Sequence, residues 1–550
     1  MLKRCADDTY GNFLIAAVAV CLSICLHTSV LANDRLPYLQ VHDGVTRFIV
    51  ADRPFLILGG ELGNSSASDM RYMENIWPRL KALHLNTLLA PVYWELLEPV
   101  EGEYDFRLLQ ELIDRARKED IKLVLLWFGS WKNSMSSYAP PWVKRDQQRF
   151  PRATGADGTG QEILTPFSDD NLAADRRVFV ELMGFLKRYD GGKNTVLMIQ
   201  VENEIGMLPN ARDFYPLATE KYQQQVPANL MDYLQTHKET LGPEIYSAWE
   251  RQNFPVSGSW ETVFGTGLHT QEIFMAWFFG RYVNTLADAG KAVYPLPMYV
   301  NAALNRPGVL PGDYPSAGPL PHVMDIWRAA TPAIDLYSPD FYNPRFQHWN
   351  DLYTRNGAAL FIPEIRFTAD VATKALYAFG HYNCIGFAPF SIESEDAPEV
   401  HPLAESYRLL SQMTPLIAHA QGTENIGGVL LTKEIPETTL EFGAYTFTVK
   451  HDYTLGWSPA AGDETWPEAA AIIVVQGENE FYVAGTGVVL TFEAKGKNRA
   501  GIEQIFEGVF ESGVFRTGRS LNGDQSHQGR HLRIPVGEYS IQQLRLYQYQ

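Results

Sequence analysis

Glu204 and Glu364 each close an apolar run, VLMIQVENE at 196–204 and ALFIPEIR at 359–366. Two carboxylic acids facing each other across a cleft can cleave a glycosidic bond. One protonates the leaving oxygen, and the other attacks the anomeric carbon or activates a water. A single glutamate in a loop is most often a solvated or salt-bridged residue. Two of them at the ends of apolar runs, about 160 positions apart, carry chemistry only if a fold brings those ends together. Spacing alone leaves the first acid open between Glu202 and Glu204, because a strand period of two puts both on one face.

The elements that position them are legible. Eight apolar runs recur: 55–62, 86–94, 122–129, 196–204, 297–304, 335–342, 359–366 and 384–393. Each is nearly continuous in Val, Ile, Leu or aromatic residues, as a strand buried on both faces must be, and turns polar only at its C-terminal end. Segments with helical spacing lie between them, at 69–84, 106–116, 172–189, 269–289, 371–380 and 400–418. This alternation predicts an α/β fold, a (β/α)8 TIM barrel, in which the C-terminal strand ends form one mouth. The stretches 130–170 and 205–268 exceed ordinary barrel loops and are read as walls of a cleft.

After residue 420 the pattern changes to short β segments, 440–449, 470–475, 480–494, 531–536 and 539–549, separated by Gly, Asn and Pro turns. The expected organisation is a catalytic barrel over 33–419 followed by an all-β, sandwich-like accessory domain over 420–550. Residues 1–32 read as a signal peptide, with Lys3 and Arg4 before an apolar stretch, Phe13 to Leu26, too short to span a bilayer comfortably. The chain is therefore expected to be exported, periplasmic or extracellular, with no integral membrane span after cleavage. An outer-membrane lipoprotein form, through Cys21 or Cys25, ranks below plain secretion. Cys384 would be the one cysteine left, so neither an internal disulfide nor a thiolate metal cluster is expected.

The 46 basic residues are outnumbered by 64 acidic ones, a net charge of −18, which disfavours nucleic acid and anionic lipid as partners. The 13 histidines show no metal-binding spacing and no phosphate-binding glycine loop is present, so no metal and no cofactor are expected. Ten of the 12 tryptophans fall in the barrel region, a distribution that fits a sugar cleft and a Trp-rich core equally.

Residues 55–105, with GGE at 59–61, LKALHLNTLLAPVYWELLEPVEGEYDF at 80–106, and QVENEIG at 200–206, resemble the retaining β-galactosidases of glycoside hydrolase family 35, within the larger clan of (β/α)8 glycosidases. The resemblance implies that Glu204 is the general acid/base, Glu364 the nucleophile, and Asn203 the partner of a sugar 2-hydroxyl. It implies carboxyl groups about 5–5.5 Å apart and net retention. Strand-tip position adds Glu61 and Tyr93 as sugar contacts and Tyr342 as a donor to Glu364. Trp131, Trp142 and Trp260 are candidate stacking platforms, and Glu95, Glu98, Glu393 and Glu395 are structural or subsite residues. One departure stands out: WFGSWKNSMSSYAPPW (127–142) lacks the family's galactose-contacting acid and carries Lys132 and Asn133 nearby. The expected activity is exo-acting hydrolysis of terminal β-galactosyl residues from plant cell-wall glycans or oligosaccharides, the carbohydrate being the partner. The alternatives are another clan specificity (β-glucosidase, β-xylosidase or α-L-arabinofuranosidase) or a catalytically inert carbohydrate-binding barrel. The oligomeric state is not encoded in any of these signals.

Overall fold

The computed structural model describes residues 35–550. The expected signal peptide, with Cys5, Cys21 and Cys25, lies outside the described residues. Eight parallel strands close into a barrel: β1 (Ile57–Glu61), β2 (Thr87–Tyr93), β3 (Lys122–Phe128), β4 (Val196–Val201), β5 (Met298–Ala303), β6 (Leu336–Phe341), β7 (Phe361–Ile365) and β8 (Gly386–Pro389). Each pairs with the next in sequence, and β8 pairs back to β1. These are the eight runs read from the sequence, each trimmed at its ends. The continuous apolar character follows from burial on both faces, inward against the other strands and outward against helices.

The helices form because their apolar residues line one face. In α1 (Arg107–Lys118), Leu109, Leu112, Ile113 and Ala116 are buried, and the rest face water. Two longer helices, α2 (Asp169–Asp190) and α3 (Leu268–Val293), pack against each other outside β4. The outer layer is continued by α4 (Phe346–Tyr353), α5 (Val371–His381) and α6 (Pro402–Ala420). The long stretches are built rather than loose. Residues 130–170 contain a two-stranded ribbon (Arg152–Thr154 with Gly160–Leu164), and 205–268 contain four short helices. Among the described residues, no helix is long and apolar enough to cross a membrane.

Ten further strands follow α6: β9 (Ile426–Leu431), β10 (Glu437–Phe442), β11 (Tyr445–His451), β12 (Ala469–Gly477), β13 (Glu480–Thr486), β14 (Val488–Ala494), β15 (Arg499–Glu511), β16 (Val514–Ser520), β17 (Leu532–Ile534) and β18 (Ser540–Tyr549). They form a six-stranded sheet, β9-β12-β13-β18-β15-β16, and a four-stranded sheet, β10-β11-β14-β17. Two segments that read as single strands are split. The run 440–449 turns at Gly443 into the hairpin β10–β11, and 480–494 breaks at Gly487, so that β13 and β14 belong to different sheets. Both glycines have positive φ, which admits the sharp turn. Strands β9, β15 and β16 were not legible, being Gly-containing or largely exposed.

The six-stranded sheet divides its side chains by the period of two. Val429, Leu431, Ile473 and Val483 fill the space between the sheets, while Leu430, Ile472, Val474 and Ala484 join the barrel's own core through contacts of α5 and α6 with the sheet. Gly380 of α5 and Gly428 of β9 allow backbone to approach backbone there.

Candidate active site

Strand β4 ends at Val201, and the chain then kinks: Glu202 has φ 60° and Glu204 φ 41°. Left-handed backbone at residues other than glycine is strained and survives only where neighbours fix it. The kink destroys the strand alternation, so Glu202 and Glu204 do not share a face, contrary to the period-two reading. Glu202 is buried in the wall, where its carboxylate accepts the backbone N–H groups of Ser130 (3.2 Å) and Trp131 (2.8 Å). Burial and the neighbouring Asp175 hold its pKa well above the carboxylate range. Glu204 faces the barrel mouth instead.

Asn203 braces the kink from within. Its Nδ2 donates to the Lys132 carbonyl (2.8 Å), and its Oδ1 accepts from Gln200 Nε2 (2.6 Å) and Asn301 Nδ2 (3.1 Å). With the side-chain carbonyl occupied by protein, only a second amide N–H is left to offer a sugar hydroxyl. Asn301, on β5, also accepts the Glu204 backbone N–H (2.9 Å) and donates to Asp340 Oδ2 (2.7 Å). A chain of hydrogen bonds thus fixes the backbone of Glu204 to the side chain of Asp340 on β6.

Asp340 and Glu364 are register partners across β6 and β7. One carboxylate oxygen each from Glu204, Asp340 and Glu364 fall within 4.8 Å of one another. Tyr342, just past the tip of β6, donates its hydroxyl to Glu364 Oε1 in a short hydrogen bond. It is 43% exposed, whereas Glu364 is 3% exposed, so the tyrosine marks the rim and the glutamate the floor. Beside Tyr342 opens a cleft of about 700 Å³, bordered by Arg366, Lys374 and, from the β domain, Glu468.

Electrostatics follow from burial. Desolvation, then repulsion from Glu204, pushes Glu364 up to about 7, with Lys132 and the Tyr342 hydroxyl opposing. Burial likewise raises Glu204, against Lys132 and a hydrogen bond to Asp340, and raises Asp340 well above its usual range with help from Glu364 and Glu204. Glu61, at the tip of β1, is fully buried and raised by desolvation and then Glu364. Neither of its oxygens has a hydrogen-bond partner among the described residues. Burial lowers the Lys132 ammonium, and the carboxylates of Glu204, Glu364, Glu61 and Asp340 outweigh it, so the lysine stays charged. Three acids this close have the donor set for a hard cation, but Lys132 already supplies positive charge to the group.

Of the residues expected from sequence, Glu204, Glu364, Tyr342 and Glu61 converge here. Trp131 does not: it is fully buried and packs edge-on against Phe279 and Tyr282, at 5.6 and 4.7 Å between centroids. Its platform role is withdrawn, since no ring face is free. Trp260 is likewise core, and half-buried Trp142 donates to the Glu98 carbonyl. Tyr93 is buried and packs against Phe128 and Tyr138, so its ring is spent on the wall rather than on sugar. Trp77, Trp94, Trp127 and Trp327 are also fully buried: the tryptophan concentration belongs to the core. Glu98 is structural, accepting from Trp94, Gly102 and Arg177. Glu395 accepts the Ala397 N–H, and Glu95 pairs with Lys144. Glu393 accepts from Gly63 and Ser66. The residues that sequence reasoning missed are Asp340 and Asn301. Each is a polar residue inside a buried strand, and that was the available signal.

Comparison with known proteins finds part of this chain similar to β-galactosidases. Residues 66–292 match the family model of glycoside hydrolase family 42, described as beta-galactosidase, and residues 403–533 match a domain of unknown function, DUF5597. A curated relative, beta-galactosidase BgaA of Clostridium cellulovorans, is 26% identical over 181 residues, 31% of this chain and 25% of the relative. The chain thus spans about a quarter of that relative's length. Two solved structures are similar. The beta-galactosidase of Bacillus circulans sp. alkalophilus has TM-score 0.45 and 15% identity, over 66% of this chain and 57% of that one. The beta-galactosidase of the psychrophilic Marinomonas ef1 has TM-score 0.43 and 13% identity, over 67% and 61%. The barrel's first half is therefore similar to glycoside hydrolase family 42 β-galactosidases, and the family 35 placement suggested by its motifs is not confirmed.

Proposed function

We propose that this protein is a retaining β-galactosidase that removes terminal β-galactosyl residues by double displacement, with Glu204 as acid/base and Glu364 as nucleophile. The observation that carries the reading is the spacing of the pair, with an oxygen of each within 4.8 Å. Retaining enzymes hold their carboxyl groups about 5–5.5 Å apart, whereas inverting ones need about 6.5–9.5 Å to admit a water.

The first half-reaction needs Glu204 protonated and Glu364 ionised. Burial raises both carboxyl groups and Glu204 repels a charge on Glu364, which favours one proton shared by the pair. The Tyr342 hydroxyl donates to Glu364 and so favours its ionised form, the form that the attack requires. Glu364 attacks the anomeric carbon, the glycosidic C–O bond breaks, and Glu204 delivers its proton to the leaving oxygen. With the Glu364 charge consumed in the ester, Glu204 no longer faces an ionised nucleophile and can give up its proton to become a base. Glu204 then accepts a proton from the water that attacks the same carbon, and Glu364 departs as carboxylate. Asn301, by fixing the Glu204 backbone, keeps the acid in line through both steps.

Exo action is supported by enclosure: Glu61 and Glu364 are 1% and 3% exposed, a mouth suited to a chain end rather than the middle of a polymer. The acidic chain suits neutral galactosylated oligosaccharides, such as xyloglucan or galactan fragments, and the apolar leader at 13–26 supports export. A panel of nitrophenyl β-galactoside, β-glucoside, β-xyloside and α-L-arabinofuranoside tests the sugar, with NMR of the first-formed anomer testing the mechanism. Fastest turnover of the galactoside with a β product is expected. An α product would overturn the nucleophile assignment, and a faster alternative sugar would overturn the specificity.

A further inference from the structure

Lys132 follows β3 in the stretch that departs from the resembled family. It is held from three sides: its N–H donates to the Ser136 carbonyl at 2.9 Å, its carbonyl accepts from Asn203 Nδ2 at 2.8 Å, and its ammonium lies 5.5 Å from the centroid of the Phe128 ring. The residue is 7% exposed. Among the described residues no hydrogen bond or ion pair engages the ammonium, although Glu204, Glu364, Glu61 and Asp340 all act on it through space. A buried ammonium with three unused donors is expensive. In the same mouth, neither oxygen of Glu61 has a donor among the described residues. The site therefore holds one group that only donates beside one that, when ionised, only accepts.

We propose that Lys132 and Glu61 form a clamp on the terminal sugar: Lys132 donates to one hydroxyl oxygen, Glu61 accepts from another, and together they select a neutral sugar ring. A hydroxyl is both donor and acceptor, so it satisfies either partner. A uronate is disfavoured, because four carboxylates surround the single ammonium and like charges at close range repel. The clamp rests on the glycosidase reading above and refines it by assigning Lys132 to sugar recognition.

The test is a cycle between enzyme and substrate. Wild type, Lys132→Met and Lys132→Gln are assayed on nitrophenyl β-galactoside and on its analogues lacking one hydroxyl each. In wild type, removing the hydroxyl held by Lys132 costs about 10- to 100-fold in kcat/KM. In Lys132→Met the same removal costs less than about threefold, while penalties at the other positions persist. Lys132→Gln, which keeps a neutral donor on a shorter arm, gives an intermediate penalty and decides the matter if the methionine variant folds poorly. Additive penalties at every position overturn the clamp and leave the glycosidase reading standing. Faster wild-type hydrolysis of nitrophenyl β-galacturonide than of the galactoside also overturns it. A wild type that cleaves none of these glycosides overturns both.

Discussion

Asp340 and Glu364 stand directly opposite each other on adjacent parallel strands, and Asp340 is tied through the Asn301 side chain to the backbone N–H of Glu204. The third carboxylate therefore lies within 4.8 Å of both that react, and it positions the acid while crowding the nucleophile. Asp340→Ala removes the anchor of Asn301 and frees the Glu204 kink, and misplacing a proton donor costs about 100-fold in kcat. Asp340→Asn keeps a side-chain oxygen for Asn301, and a loss below about tenfold is expected. Steady-state kinetics on one aryl galactoside check both. Equal losses in the two variants would show that the anchor does not matter.

Tyr342 donates to Glu364 and thereby favours the ionised nucleophile. Tyr342→Phe removes that donor, so the Glu364 pKa rises further above about 7. Activity requires ionised Glu364 and is lost on the acid side, so the acidic limb of kcat/KM moves to higher pH. Loss of a hydrogen bond to a charged group lowers the rate by about 10- to 100-fold. A pH–rate profile with an unmoved acidic limb would rule out this role.

Much of this was readable from residue order. All eight barrel strands announce themselves because burial on both faces demands unbroken apolar runs, and the strand ends locate Glu204, Glu364, Glu61 and Tyr342. What escaped is what depends on geometry beyond the strand. The choice between Glu202 and Glu204 came from the family resemblance and not from spacing, because it turns on positive φ at both residues, which no spacing rule contains. Asp340 and Asn301 were hidden because each lies inside a strand rather than at its tip, where a barrel's site residues are expected. Trp131 and Tyr93 were misread since loops and strand tips can turn an aromatic ring inward as readily as outward, and only the packing of Phe279, Tyr282 and Tyr138 decides. The β domain was legible as a class and not strand by strand, because Gly443 and Gly487 sit within runs that read as continuous.

Glu202 and Glu204 separate cleanly by experiment. Glu204→Gln abolishes proton donation, so hydrolysis of galactosides with poor leaving groups falls by about 10²- to 10⁴-fold. Aryl galactosides whose leaving group needs no proton lose far less in the first step. Glu202→Gln leaves the reacting acid in place, and its expected effect is on the wall, where its carboxylate caps the Ser130 and Trp131 N–H groups. Comparing the two variants on a leaving-group series checks the assignment. A steep leaving-group dependence in Glu202→Gln, and none in Glu204→Gln, would reverse it.

The barrel and the β domain are joined where α5 crosses β9. A Cβ added at Gly428 would lie 2.7 Å from the His381 nitrogen and 2.8 Å from the Gly380 carbonyl carbon. Backbone cannot yield as a side chain does, so Gly428→Ala forces the helix away from the sheet. Overpacking of this kind destabilises by about 1–3 kcal/mol, which urea unfolding would register. Unchanged stability would show that the helix and sheet can separate without cost.

The nucleophile itself is a burden on the fold at high pH. Burial first, and Glu204 second, raise Glu364 from 4.5 to about 7. A carboxyl group with a raised folded pKa contributes stability that is complete below its unfolded value and is lost as pH rises through the folded one. Wild-type stability should therefore decline between about pH 5 and pH 8. Glu364→Gln carries no charge to desolvate, so at pH 5 it should match wild type closely, and at pH 8 it should be the more stable protein. A pKa raised from 4.5 to about 7 corresponds to about 3 kcal/mol as an upper bound, since Lys132 and relaxation offset part of it. Urea unfolding of both proteins at the two pH values measures the difference. A gap that stays constant with pH, or that favours wild type at pH 8, would mean that Glu364 is not held ionised against burial in the folded site.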